Sequence, residues 1–197
     1  MPIAQWPYRI DAPAAGGLPI LDNFNRANEN PLSDGGKWAH SNMQLISNAA
    51  TSGLNGTTTV AFWNPTTFGP DCAAFVTVGA LPASGNGFGL YLRTTNPGVG
   101  TENSYLMQWG PTVSAGGCTI YKETASGSFT QLAQNTALVY IVGDVIKFEA
   151  VGTTLTAYKN GVSVLSVSDA TYGSAGYFGL RSRDTTLRLD DFGGGTL

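Results

Sequence analysis

Apolar and polar residues alternate along this chain in short runs cut by turn-forming residues. From Leu18 onward a strand-like run recurs roughly every 8–15 residues, the spacing of an all-β sandwich. The alternation predicts strands over Ile20 to Phe24, Met43 to Ser47, Thr58 to Trp63, Cys72 to Val78 and Phe88 to Arg93. Further strands are expected over Ser104 to Trp109, Cys118 to Glu123, Phe129 to Ala133, Val145 to Val151, Thr154 to Lys159, Val162 to Val167, Gly176 to Ser182 and Thr186 to Phe192. The separators Ser84-Gly85-Asn86-Gly87, Asn96-Pro97-Gly98, Gly116-Gly117 and Tyr172-Gly173-Ser174 are turn formers. No stretch sustains a helical period, so helix is expected to be nearly absent.

Two local features sharpen this pattern. Asn160-Gly161 joins two of the strands, and this pair suits a type I′ hairpin turn because both central residues need positive φ. The apolar run Val164-Leu165 with Val167 breaks strict alternation there and suggests a bulge. The second feature is a pair of matching terminal segments, Leu21-Asp22-Asn23-Phe24-Asn25-Arg26 and Leu189-Asp190-Asp191-Phe192-Gly193. Similar first and last strands are expected to pair and close the sandwich. Ahead of them, residues 1–18 hold Pro2, Pro7, Pro13 and Gly16-Gly17, yet carry Ile3, Trp6, Tyr8 and Ile10. A disordered tail is poorer in large apolar groups. The segment reads either as an extended arm whose four apolar residues contact a partner, or as a strand at the sandwich edge. The domain proper is then 19–197.

Composition narrows the function classes. At 197 residues the chain fits one domain able to bury a full core. Only 12% of residues are charged, against 42% apolar, and 26 are glycine. Such a neutral polar surface suits stacked sheets or neutral partners such as glycans. A net charge of −3 with scattered Lys and Arg argues against nucleic acid. No apolar run approaches the ~20 residues of a membrane span. No signal peptide is visible, which fits a mature form or a route outward through virion assembly and lysis. Cys72 and Cys118 lie in apolar runs and read as buried thiols or as a disulfide between neighbouring strands; neither has metal-ligand spacing.

The residues at both ends carry a resemblance. The Asp-x-Phe strand, Trp38 some way after it, and Met43 to Ser47 resemble the opening of concanavalin A-like lectin/glucanase jelly rolls of the laminin-G-like branch. The closing third resembles them more closely: Val145 to Ala150, Tyr158 to Gly161, Gly176-Tyr177-Phe178-Gly179-Leu180-Arg181, and Leu187 to Phe192. The resemblance implies an all-β fold, a two-sheet antiparallel jelly-roll sandwich with an extended N-terminal arm. Asp-Asn-Phe-Asn-Arg also resembles jelly rolls of tailed-phage structural proteins. That implies a non-enzymatic virion surface protein, such as a head decoration, spike or tail component, oligomeric through its arm and sheet edges and meeting host polysaccharide. The alternatives are a free-standing extracellular carbohydrate-binding module and, remotely, a glycoside hydrolase.

The chemistry for catalysis is thin. Hydrolases of this fold use Glu-x-Asp-x-x-Glu on one strand, and none of the 13 acids here has that arrangement. The single histidine, His40, lies in no triad motif, and no Gly-Lys-Ser/Thr follows the glycines. No catalytic residue and no required cofactor is therefore expected. Laminin-G-like relatives often hold calcium at the rim, and Asp22, Asp190 and Asp191 would approach one another if the terminal strands pair.

Sugar binding uses aromatic rings flanked by hydrogen-bonding groups. Alternation turns Tyr91 and Arg93 outward from one middle strand, and Tyr121 and Glu123 from another. In Ser104 to Trp109 either Leu106 and Gln108 or Tyr105, Met107 and Trp109 face out. A patch of Tyr91, Arg93, Tyr121 and Glu123, with Trp109, is the candidate glycan face. A cross-strand aromatic ladder that only stabilises the sheet is the competing reading.

Overall fold

A computed structural model of the chain describes residues 17–83, 85–110, 117–125 and 127–197. The arm residues Ile3, Trp6, Tyr8 and Ile10 lie outside them. The described residues contain fifteen strands and no α-helix. In chain order these are β1 (Ile20–Asp22), β2 (Trp38–Ala39), β3 (Met43–Leu45), β4 (Ala50–Ser52), β5 (Thr59–Trp63), β6 (Cys72–Ala80), β7 (Phe88–Thr95) and β8 (Asn103–Trp109). There follow β9 (Cys118–Thr124), β10 (Ser128–Asn135), β11 (Val145–Val151), β12 (Thr154–Lys159), β13 (Val162–Ser168), β14 (Tyr177–Ser182) and β15 (Arg188–Thr196). Each expected strand has its counterpart. The short β2 and β4 were not expected from the pattern, because two or three residues are too few to show a period.

Two antiparallel sheets form the sandwich. One runs β13-β12-β11-β6-β15-β4-β3, with β1 also paired to β15; the other runs β10-β9-β8-β7-β14-β5-β2. The terminal strands do pair, Ile20 with Gly193 and Asp22 with Phe192. The Asn160-Gly161 turn has positive φ at both residues (51° and 80°), and the bulge falls between Ala157 and Tyr158. Gly193 shows why the last strand is glycine-rich: a Cβ there would stand 2.3 Å from the Phe75 ring and 2.5 Å from the Pro19 carbonyl.

The matching end segments meet at one aromatic centre. Phe24 stacks on Trp38 at 6.0 Å, Phe192 lies 4.9 Å from the same indole, and Trp63 packs edge-on at 5.4 Å. Trp38 stands in the seven-stranded sheet and Phe192 in the other, so the signature residues tie the layers together. Cys72 and Cys118 are buried free thiols in different sheets. Burial pushes both up to about 12. Most strands bury one face against this core, but β5 and β7 are buried on both. The outer face of the seven-stranded sheet therefore has a packing of its own. Among the described residues no helix is long and apolar enough to cross a membrane.

Candidate functional site

Register fixes which side chains share the outer face of the seven-stranded sheet. One cross-strand row reads Phe62, Gly179, Tyr91, Leu106, Tyr121 and Gln131 across β5, β14, β7, β8, β9 and β10. The neighbouring row reads Val60, Arg181, Gly89, Gln108 and Thr119. Val60, Phe62, Tyr91 and Leu106 form an apolar floor separate from the main core, and Tyr121 packs against it. The two glycines make that floor possible. A Cβ on Gly179 would lie 2.6 Å from the Phe62 ring, and one on Gly89 would lie 2.6 Å from Leu106 Cδ1.

Polar groups converge over this floor. Glu123 on β9 and Glu102 in the turn before β8 are each 2% exposed, and Arg181 on β14 is 8% exposed. The Tyr91 hydroxyl donates to Glu102 Oε1 at 3.4 Å. Arg181 donates to Gln108 Oε1 at 3.0 Å and to Thr58 Oγ1 at 3.2 Å. Phe129, 40% exposed, spans the group: it stands edge-on to Tyr121 at 5.8 Å and lies 5.0 Å beneath the Arg181 guanidinium. Four buried atoms here lack any partner, namely Glu102 Oε2, Glu123 Oε2, Ser104 Oγ and Arg181 Nε. Burying polar atoms unpaired costs about 1–3 kcal/mol each, so such a concentration marks a place where a ligand's groups would be welcome. Burial, reinforced by the adjacent Glu102 carboxyl, pushes Glu123 up to about 7. Burial also raises the Tyr91 phenol well above its ordinary value.

The structure brings together three of the five residues expected at a glycan face: Tyr91, Tyr121 and Glu123. It corrects the expectation of an exposed platform, since Tyr91 and Glu123 are buried and only Tyr121 is partly open. Arg93 is not among them. A bulge follows Leu92, and Arg93 takes a φ of 52°, which breaks the alternation. Its guanidinium instead donates to the carbonyls of Pro70, Tyr172 and Gly152 at 2.6–2.9 Å. Trp109 faces the core with Tyr105 and Met107, leaving Leu106 and Gln108 outward. Sequence reasoning missed Arg181, Glu102 and Phe129. The signal for Arg181 was present in Phe178-Gly179-Leu180-Arg181: with Phe178 and Leu180 in the core, Arg181 must point out. No pattern marks Glu102, which lies outside any strand.

A second cluster surrounds β1, where Asp22, Asn25, Arg26, Asp34 and Lys37 line an open depression of about 510 Å³. Asp22 accepts from Phe24 N, Arg26 Nη1 and Trp38 Nε1, each at 2.7 Å. Glu29 accepts from Arg26 Nε and Ser33 N at 2.7 Å and from Asp34 N at 2.9 Å. Against the opposing effect of desolvation, these bonds hold Glu29 down at about 2. The expectation of calcium on Asp22, Asp190 and Asp191 meets a guanidinium already bonded to the first carboxylate. Asp190 Oδ1 accepts from Asp191 N at 2.8 Å. Among the described residues no three His, Cys, Asp or Glu side chains are grouped to hold a metal ion.

No protein-family model matches the sequence, and no curated protein is similar to it. Solved structures are similar in fold. The carbohydrate-binding module CBM66 from Bacillus subtilis superposes with a TM-score of 0.67 at 16% identity, covering 83% of this chain and 98% of the module. A galectin-like protein of unknown function from Bacillus subtilis gives 0.63 at 14% identity, covering 86% and 94%. A legume lectin-like domain from Entamoeba histolytica gives 0.59 at 10% identity, covering 82% and 90%. The chain has a concanavalin A-like jelly-roll lectin fold. In this lectin-like sandwich the aromatic–acidic outer face lies on the seven-stranded sheet, and the Asp22 network braces the strand that closes the other sheet.

Proposed function

We propose that this chain is a non-catalytic carbohydrate-binding module whose sugar-binding surface is the outer face of the seven-stranded sheet. The observation that carries this reading is the convergence of Tyr91, Tyr121, Phe129 and Arg181 on buried polar atoms that have no partner. A pyranose offers C–H faces to aromatic rings and hydroxyls to acceptors, which is the chemistry this face lacks. The similar structures support it by name: one is a carbohydrate-binding module, another the Emp46p carbohydrate recognition domain, at a TM-score of 0.57. Phe129, with Tyr121 beside it, is the exposed aromatic on which the sugar ring stacks.

Hydrolysis fits less well. Glycosidases hold two carboxyl groups about 5–9.5 Å apart with the sugar between them, whereas Glu102 and Glu123 are both buried beside the Tyr91 ring and the Glu102 carboxyl acts directly on Glu123. A virion surface setting, in which this face meets host polysaccharide, rests on the sequence resemblance and on the arm residues outside the described region. That setting adds a location to the binding reading and needs no different chemistry.

The test is a glycan array on the full-length protein, with calcium and again with EDTA. Binding to a defined sugar in both conditions is expected, falling at least tenfold in Phe129→Ala and Tyr121→Ala while the unfolding midpoint stays within a few degrees. Binding that ignores both substitutions would move the site elsewhere. No binding in either condition would overturn the reading and favour an assembly component working through its arm and edges.

A further inference from the structure

The outer face holds more acid than its base neutralises. Tyr91 faces it from β7, Glu102 from the turn before β8, Glu123 from β9 and Arg181 from β14, while β5, β8 and β10 present only uncharged side chains there. The Tyr172 hydroxyl, from the loop ahead of β14, donates at 2.8 Å to the Glu123 backbone carbonyl and leaves the carboxyl alone. Lys122, next along β9, turns to the opposite side and pairs with Asp169 at 3.3 Å. Arg181 spends its terminal nitrogens on a neutral amide and a hydroxyl. Among the described residues, then, the two carboxyls have each other and one phenol.

As two carboxylates they repel and neither donates. One proton between them relieves both problems, and burial, reinforced by the Glu102 carboxyl, makes Glu123 hold its proton up to about 7. A ligand can relieve the same problems differently. Two adjacent hydroxyls donating to Glu102 Oε2 and Glu123 Oε2 would satisfy both unpartnered atoms at once, in charge-assisted bonds. An acidic sugar would add a third negative charge opposite a single guanidinium.

We propose that Glu102 and Glu123 form a proton-sharing acceptor pair that selects uncharged sugars bearing adjacent hydroxyls, and that the bound sugar replaces the shared proton, which leaves to solvent. This rests on the outer face being the sugar-binding face. Proton release on binding means that affinity for a neutral sugar rises with pH through neutrality, whereas an acidic sugar must retain or recruit the proton.

The test is titration calorimetry on the intact protein. Methyl glycosides of glucose, galactose, mannose and fructose serve as neutral probes, and glucuronate and galacturonate as acidic ones. Each is run at pH 6 and pH 8 in buffers of different ionisation enthalpy. The expected result is proton release with the neutral probe that binds at pH 6, about tenfold tighter binding at pH 8, and weaker binding of both uronates. Glu123→Gln and Glu102→Gln should each abolish the proton release and flatten the pH dependence. Neutral sugar bound without proton release, release that survives in both variants, or a uronate bound more tightly would overturn this inference and leave the binding face intact. No probe bound at either pH would overturn both.

Discussion

At the first strand, Asp22 and Glu29 sit on either side of Arg26, and each also accepts backbone or indole N–H bonds. On the outer face of the seven-stranded sheet, Glu102 and Glu123 sit beside each other, with Arg181 turned to neutral partners. Glu29, whose side chain is 23% exposed, is held down at about 2, whereas Glu123, 2% exposed, is pushed up to about 7. Burial is the larger cause at Glu123, and the bonds from Arg26, Ser33 and Asp34 that outweigh it at Glu29 have no counterpart there. The first cluster has its donors in place and braces β1; the second lies buried beside Phe129 with carboxylate oxygens still unpartnered, and it is there that we propose a ligand's hydroxyls complete it.

The sharpest way to break the first cluster is Asp22→Ala. It strands the buried Trp38 Nε1–H and the Phe24 N–H together and leaves Arg26 with Glu29 alone, and we expect a loss of about 3 kcal/mol in urea unfolding. A loss below about 1 kcal/mol would show that water replaces the carboxylate at no great cost.

The second cluster should behave in the opposite sense. The folded protein keeps the Glu123 proton up to about 7, while the unfolded chain releases it near the ordinary 4.5. Stability therefore falls as pH rises through that window. Glu123→Gln should remove this decline and be more stable than the parent at pH 8, by roughly 2 kcal/mol. A parental stability flat between pH 4.5 and 7 would contradict the assignment.

Glu29 gives the smallest effect. Its contribution is complete above its ordinary value of 4.5 and is lost as pH falls toward about 2. Glu29→Gln should cost about 1 kcal/mol at pH 7, discounted for its partial exposure, and should flatten the acid limb of the stability profile. An unchanged acid limb would place that proton uptake elsewhere.

Much of the fold was legible because it is written in local terms. Period-two alternation, turn residues and the Asn160-Gly161 pair act over a few residues, so they located the strands, the hairpin and its bulge. The paired ends were legible too, since Asp22, Phe24, Trp38 and Phe192 carry a repeated signature whose partners turn out to be each other. The site was half legible. Alternation put Tyr91, Tyr121 and Glu123 on one face, and it failed at Arg93, where a left-handed residue beside a bulge sends the side chain to three carbonyls instead.

By itself, then, the sequence determined an all-β sandwich closed by its own ends, because strand period and turn chemistry are properties of neighbours along the chain. Only the tertiary structure decided that Arg181 stands on the face that Arg93 was expected to occupy, that Glu102 joins Glu123, and that each keeps one carboxylate oxygen without a donor. Charge and hydrogen bonding act across space, between strands whose order in the sheet no local pattern encodes.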